Sequence, residues 1–132
     1  EVGSVSGAMP PLLGAAAAGE IMAPGAWLLA GILLLWQMPH FFAIGWMHRA
    51  DYRRAGFPMR PALDRDGWNT AAWSVGYAGA LAALSVLPWS VGWAGPIYGV
   101  PATVGAGVLL VAAVRWLREP DDRDRRARQL FR

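Results

Sequence analysis

Gln37, His40, His48 and Asp51 follow one another at spacings of three, eight and three residues. At about 100° per residue, a helix running through them would gather all four within roughly 80° of one face. An amide, two imidazoles and a carboxylate on one face can hydrogen-bond a polar ligand, move a proton or offer ligands to a metal ion. Arg49, Arg53 and Arg54 crowd around Asp51, with Tyr52 beside it, and guanidinium groups bind phosphate or carboxylate bidentately. Each member also has a plainer reading. Gln37 can bond a neighbouring helix, His40 can be a satisfied interior histidine, His48 can be interfacial, and Asp51 can be a loop ion pair worth little. The set is more specific than its members.

The surroundings of this set decide its class. No residue between Ile21 and His48 carries a formal charge, and a second uncharged run extends from Gly67 to Val114. Uncharged apolar stretches of about 18 residues or more read as membrane-spanning helices. The 132 residues are 55% hydrophobic and only 16% charged, against about 25% in soluble domains. A mean hydropathy of +0.30 looks modest because arginine-rich segments dilute it. The chain therefore reads as all-α, a polytopic integral membrane protein, and not as a soluble domain. Polar groups within a bilayer face a bundle interior or a wet cavity, and Pro39 frees a backbone carbonyl and predicts a kink. The expectation is a cavity lined by the polar stripe and opening at Asp51.

Four apolar segments follow: a broken one over 2–19, then 26–47, 70–88 and 96–117. Pro10 and Pro11 interrupt the first, Gly3 and Gly7 permit close helix packing, and Pro24-Gly25 marks a turn. Trp27, Trp46, Trp68, Trp89, Trp93 and Trp116 fall near segment ends, as an interfacial aromatic belt predicts. Alternation puts the loop 48–68 and the tail 118–132 on one side. All 12 basic residues are arginine and nearly all lie in those two regions, so the positive-inside bias makes that side cytoplasmic. A pI near 10.2 thus reports membrane orientation, with no nucleic-acid partner. With no cysteine, disulfides, iron–sulfur clusters and thiolate metal sites are excluded. No basic region precedes the first apolar segment to mark a signal peptide, and the chain, opening on Glu1, reads as part of a longer one.

The string LLLWQMPHFFAIGWMHRADYRRAGFPM, Leu33 to Met59, resembles the heme-farnesylating members of the UbiA-type intramembrane prenyltransferases. GAMPPLLG (Gly7 to Gly14), the Thr70 region, Leu87-Pro88 and ARQLF (Ala127 to Phe131) are similar in order and spacing, so the resemblance covers nearly the whole chain. It implies a nine-helix bundle around a central cavity, of which this chain would be part. It also implies transfer of a farnesyl group from farnesyl diphosphate to a vinyl group of heme b, giving heme O for terminal oxidases. Mg²⁺ held by two aspartate-rich loops would bind the diphosphate, and heme b would be a substrate, not a cofactor. Asp51 matches the aspartate of the second loop, as metal ligand and catalytic residue. Arg49, Tyr52 and Arg53 would lie on the diphosphate side, and Gln37 and His40 on the heme side. The location implied is the bacterial cytoplasmic membrane, with contact to a heme A synthase or to oxidase assembly. Ala50 departs from an acid or lysine common in relatives, and Arg60 from a leucine. The first aspartate-rich loop has no counterpart here, so the isolated piece is expected to be inactive.

Other classes compete. A b-type cytochrome needs two histidines facing one iron, yet His40 and His48 sit on one segment, roughly 12 Å apart along a helix. A transporter or non-catalytic membrane subunit would draw support from broken helices, but no inverted repeat is visible. A sibling prenyltransferase acting on a quinone or chlorophyll precursor is the nearest rival.

Overall fold

The computed structural model describes residues 2–118 together with Arg125 and Ala127. Most of the expected tail 118–132, with most of the ARQLF match, therefore lies outside the described residues. Helices follow in the order α1 (Val2–Ala8), α2 (Pro10–Ala17), α3 (Pro24–Met47), α4 (Arg49–Arg54), α5 (Arg60–Leu63), α6 (Trp68–Ser90) and α7 (Pro96–Arg118). Helix α2 opens on Pro10 and Pro11, where a missing N–H costs nothing because the first turn has no intrahelical acceptor. The same prolines cannot donate back into α1, which ends at Ala8.

Helices α3, α6 and α7 are long and apolar enough to cross a membrane. At 24, 23 and 23 residues they measure roughly 35 Å, a little more than the ~30 Å hydrocarbon core. Pro39 lies fully buried inside α3, which runs on unbroken to Met47.

Between α3 and α6 the arginine-rich segment is folded and not a simple loop. It carries α4 and α5 and docks back on α3 at two glycines. A Cβ on Gly45 would come 2.9 Å from the Pro61 ring, and one on Gly67 would come 2.6 Å from the Trp46 ring. Gly67 also has φ +74°, a conformation that other L-residues enter at a cost. Two carboxylates then start α6. Asp66 accepts the Trp68 N–H at 3.2 Å, while Asp64 accepts both the N–H and the hydroxyl of Thr70 at 2.7 Å. These serve the orphan donors of the helix N-terminus, where negative charge is favourable.

The core lies at this end, with Met38, Phe42, Ala43 and Trp46 of α3 against Ala71 of α6 and Trp116 of α7. Trp46 and Trp116 are thus buried packing residues, and only Trp27, Trp68, Trp89 and Trp93 of the expected belt are exposed. The far end of the α6–α7 hairpin is closed by Gly99 under the Trp89 ring and by the Tyr98 hydroxyl donating to the Ser85 carbonyl at 3.2 Å.

Two positive-φ glycines separate strain from contact. Gly56 has φ +71° but open space where its Cβ would sit, whereas Gly67 meets Trp46. Gly56→Ala should cost about 1 kcal/mol and Gly67→Ala about 3 kcal/mol, the excess being overpacking. Thermal unfolding of the two variants in one detergent checks this. Equal losses would show that the Trp46 ring moves aside freely.

Candidate functional site

The predicted residues fall into three groups along α3 and α4. Gln37 is buried beneath α1, because Gly7 has no side chain; a methyl group there would collide with the Gln37 amide. His40, one turn on, is half-buried and stacks on Trp36, with ring centroids 5.3 Å apart and planes 18° from parallel. Trp36 and neighbouring Leu33 border a cleft of about 420 Å³ between α3, α6 and α7, walled by Leu81, Ala106 and Leu109. That volume lies within the usual range for small-molecule sites, and its wall is apolar, with Trp36 joining it to the stacked His40.

The third group begins where α3 ends. His48 leaves helical geometry, with φ −102° and ψ 17°, and α4 restarts at Arg49. One continuous helical stripe from Gln37 to Asp51 is therefore not what the chain forms. His48 and Asp51 still meet, with Nδ1 to Oδ2 at 3.9 Å, and Arg54 reaches the other carboxylate oxygen at 3.6 Å. The Asp51 and Arg54 side chains are 71% and 82% exposed, so these pairs contribute little stability.

Arg49 and Arg53 face elsewhere. Arg49 donates to the Trp46 carbonyl at 2.9 Å and lies 4.2 Å from the Trp46 ring centroid. Arg53 donates through Nε to the Ala62 carbonyl and through a terminal nitrogen to the Asp64 carbonyl at 3.2 Å. It ties α5 to α4 in this way. Tyr52 is half-buried, and its carbonyl accepts the Phe57 N–H at 3.0 Å, closing the turn after α4.

The sequence reading passed over a second polar corner. A cavity of about 280 Å³ opens between α3, α5 and α6, lined by Phe42, Arg60, Leu63, Asp64, Asn69, Thr70 and Trp73. The Arg60 guanidinium lies 5.1 Å from the Trp73 ring centroid. An acid just before a helix start is a visible capping signal, and Asp64 before Trp68 carries it. The Arg60–Trp73 pairing across 13 residues leaves no such trace in the sequence.

For a divalent cation, Asp51 presents an accessible carboxylate. Among the described residues no three His, Asp or Glu side chains gather as a metal-holding group. A single carboxylate fits the way Mg²⁺ is usually held, by one or two carboxylates, water and substrate phosphates.

Three long apolar helices with a folded, arginine-rich polar corner at one end define a multi-pass helical membrane protein. The UbiA prenyltransferase family matches residues 1–132, and the chain belongs to it. It is 43% identical over 132 residues to the protoheme IX farnesyltransferase of Opitutus terrae, covering 99% of this chain and 44% of that protein. Against the protein of the same name from Salinibacter ruber the identity is 48% over 99 residues, 75% of this chain and 35% of the relative. For the one from Bordetella avium it is 36% over 131 residues, 99% and 43%. The chain thus spans less than half the length of these relatives. No solved structure matches it.

Arg53 provides a direct test of how the corner is held. Arg53→Gln should remove about 1 kcal/mol of local stability. Hydrogen exchange at the amides of Ala62, Leu63 and Asp64 should quicken about fivefold, with α3 unchanged. Unaltered exchange at α5 would mean that Pro61 against Gly45 suffices to dock it.

Proposed function

We propose that this chain forms part of an enzyme that transfers the farnesyl group of farnesyl diphosphate to a vinyl group of heme b, forming heme O. The observation that carries the reading is the shared name of the three relatives described above, each a protoheme IX farnesyltransferase, at 36–48% identity. Asp51 supports it by presenting an exposed carboxylate at the arginine-rich corner. In this reading Asp51 is a ligand of the Mg²⁺ that accompanies diphosphate, and the ion when bound supplies neutralisation of the leaving group's charge.

The chain's own groups do the rest. A guanidinium has five N–H donors, so Arg49 and Arg53 keep donors beyond those given to carbonyls. They can meet diphosphate oxygens as the allylic C–O bond breaks and the electron pair departs with the diphosphate, an electrostatic contribution. Tyr52 adds a phenol on the same side. Gln37 and His40 belong to the heme side, where the apolar cleft beside Trp36 excludes water until the vinyl carbon attacks the allylic cation. Water then adds to the carbocation this leaves beside the porphyrin and gives up a proton, which leaves the hydroxyl of heme O. The arginine-rich corner faces the cytoplasm across a bacterial cytoplasmic membrane, in reach of a heme A synthase or of oxidase assembly. The first aspartate-rich loop lies outside these 132 residues, which alone should make no heme O.

The test uses the complete reading frame in cells that lack their own heme O synthesis. Asp51→Asn keeps the shape and removes the charge a hard cation needs. It should lower heme O at least ~100-fold, about 2.7 kcal/mol of barrier, at unchanged protein level. Arg49→Gln should weaken diphosphate binding, and Arg54→Gln should do much less. Near-normal heme O from Asp51→Asn at matched expression would reduce Asp51 to a surface ion pair. A prenylated quinone precursor in place of heme O would reassign the acceptor.

A further inference from the structure

The apolar cleft beside Trp36 lies at a definite depth beneath the polar corner. Trp46, Ala71 and Trp116 meet in one core, so Met47, Trp68 and Arg118 stand at about the same level of α3, α6 and α7. Counted inward from those ends, Leu109 lies about 14 Å down and Trp36 about 16 Å. Leu81 and Gly105 lie about 20 Å down, and Leu33 about 21 Å. The cleft that these residues border therefore opens about 14 Å below the corner and continues for about 7 Å more.

A prenyl chain can be measured against that depth. An extended carbon chain advances about 1.2 Å per bond, as an extended backbone does. From a diphosphate at Asp51, the twelve-carbon main chain of a farnesyl group reaches about 13 Å, and each further isoprene unit adds about 5 Å. Farnesyl thus ends at the upper rim, beside Leu109 and Trp36, whereas a twenty-carbon chain ends near Leu81 and Gly105. Volume agrees with length. Five carbon groups, each taking roughly the 30 Å³ of a water molecule, make about 150 Å³ per isoprene unit. The cleft holds about 420 Å³, far more than the tip of a farnesyl chain fills.

Gly105 keeps the lower part open. A Cβ there would meet nothing within 4 Å, so a larger side chain would enter the cleft without striking a neighbouring helix. Gly107 has the same open space but points roughly 160° away around α7 and does not border the cleft.

Resting on the farnesyl-transfer reading above, we propose that the cleft receives the far end of the prenyl chain. Gly105 makes it one isoprene unit deeper than farnesyl requires, so a twenty-carbon allylic diphosphate is also a donor to heme b. Its C–O bond breaks, the diphosphate leaves with the electron pair, and the vinyl carbon bonds to the allylic carbon. Water adds to the carbocation left beside the porphyrin and gives up a proton. The product is heme O with a longer chain.

The test supplies membranes carrying the complete protein with heme b and an equal mixture of farnesyl and geranylgeranyl diphosphate, and separates the prenylated hemes by mass. Wild type should form both products, the longer within about tenfold of the shorter, since an apolar pocket that fits both discriminates weakly. Gly105→Phe should lower the ratio of longer to shorter product at least ~10-fold while the farnesyl product persists. Gly107→Phe should leave the ratio as it is. Where Gly105→Phe does not accumulate, Gly105→Val carries the same comparison. Heme O from farnesyl with no longer product overturns the proposal, as does a ratio that Gly105→Phe leaves unmoved or Gly107→Phe moves equally. Loss of the farnesyl product from Gly105→Phe at wild-type protein level also overturns it, because the shorter chain would then reach Gly105. No prenylated heme from either donor in wild type overturns the farnesyl-transfer reading itself, and this proposal with it.

Discussion

The ring of Trp46 rests against the backbone of Gly67, so closely that even a methyl group would not fit between them. This contact joins the last turn of α3 to the residue that starts α6. Arg49 covers the Trp46 ring and donates to its carbonyl, which sets where α4 leaves. One residue before Trp46, Gly45 receives Pro61 and so seats α5. Within lipid there is little hydrophobic force between helices, and association depends on close packing of small surfaces. The four alanines with no exposed surface that line these helices, Ala43, Ala71, Ala78 and Ala113, continue the same principle away from the corner. The polar segment inherits its position from that packing.

Charge at this corner is divided by task. Asp64 and Asp66 are consumed by the donors that begin α6, and Arg53 is consumed by the carbonyls that end α5. Each such bond satisfies a backbone group that a helix end leaves open, so charged residues here do structural work close to the membrane surface. Asp51 meets His48 and Arg54 at exposed distances, while Arg60 lies beside the Trp73 ring. A segment rich in charge therefore presents two distinct chemical faces, one with a carboxylate and one with a cation over an aromatic ring.

Much of this was legible in the sequence, for reasons that differ by residue. The three long helices could be read because a bilayer forbids formal charge over about 20 residues, and the break at Pro10 and Pro11 because proline lacks a donor. The site was legible only in part. Asp51 stood out by type and by its match to a family string. The apolar span was read as 26–47, but the change of geometry at His48 did not stand out, since no glycine or proline marks it and periodicity alone carries the polar stripe straight on to Asp51. Nor could sequence separate Arg53 from Arg54, two adjacent identical side chains of which one bonds carbonyls at the end of α5 and the other pairs with Asp51 within α4. Trp46 and Trp116 were misplaced at the interface because tryptophan near a span end serves either lipid or core, and only the packing around it decides.

The energetics of Asp51 give its exposure a meaning. A buried carboxylate must be compensated by hydrogen bonds or shift its protonation, as Asp64 shows by taking both donors of Thr70. Asp51 meets no such demand: its contacts with His48 and Arg54 are long and solvent-exposed, and pairs of that kind contribute 0–1 kcal/mol. Its carboxylate can therefore exchange these partners for a stronger one at little cost to the fold. Arg53, by contrast, cannot turn wholly to a ligand without releasing α5, so whatever it contributes to anion binding comes from donors it has to spare. The packing of α3 against α6 thus fixes the corner through residues that never need to move, and leaves the Asp51 carboxylate weakly held.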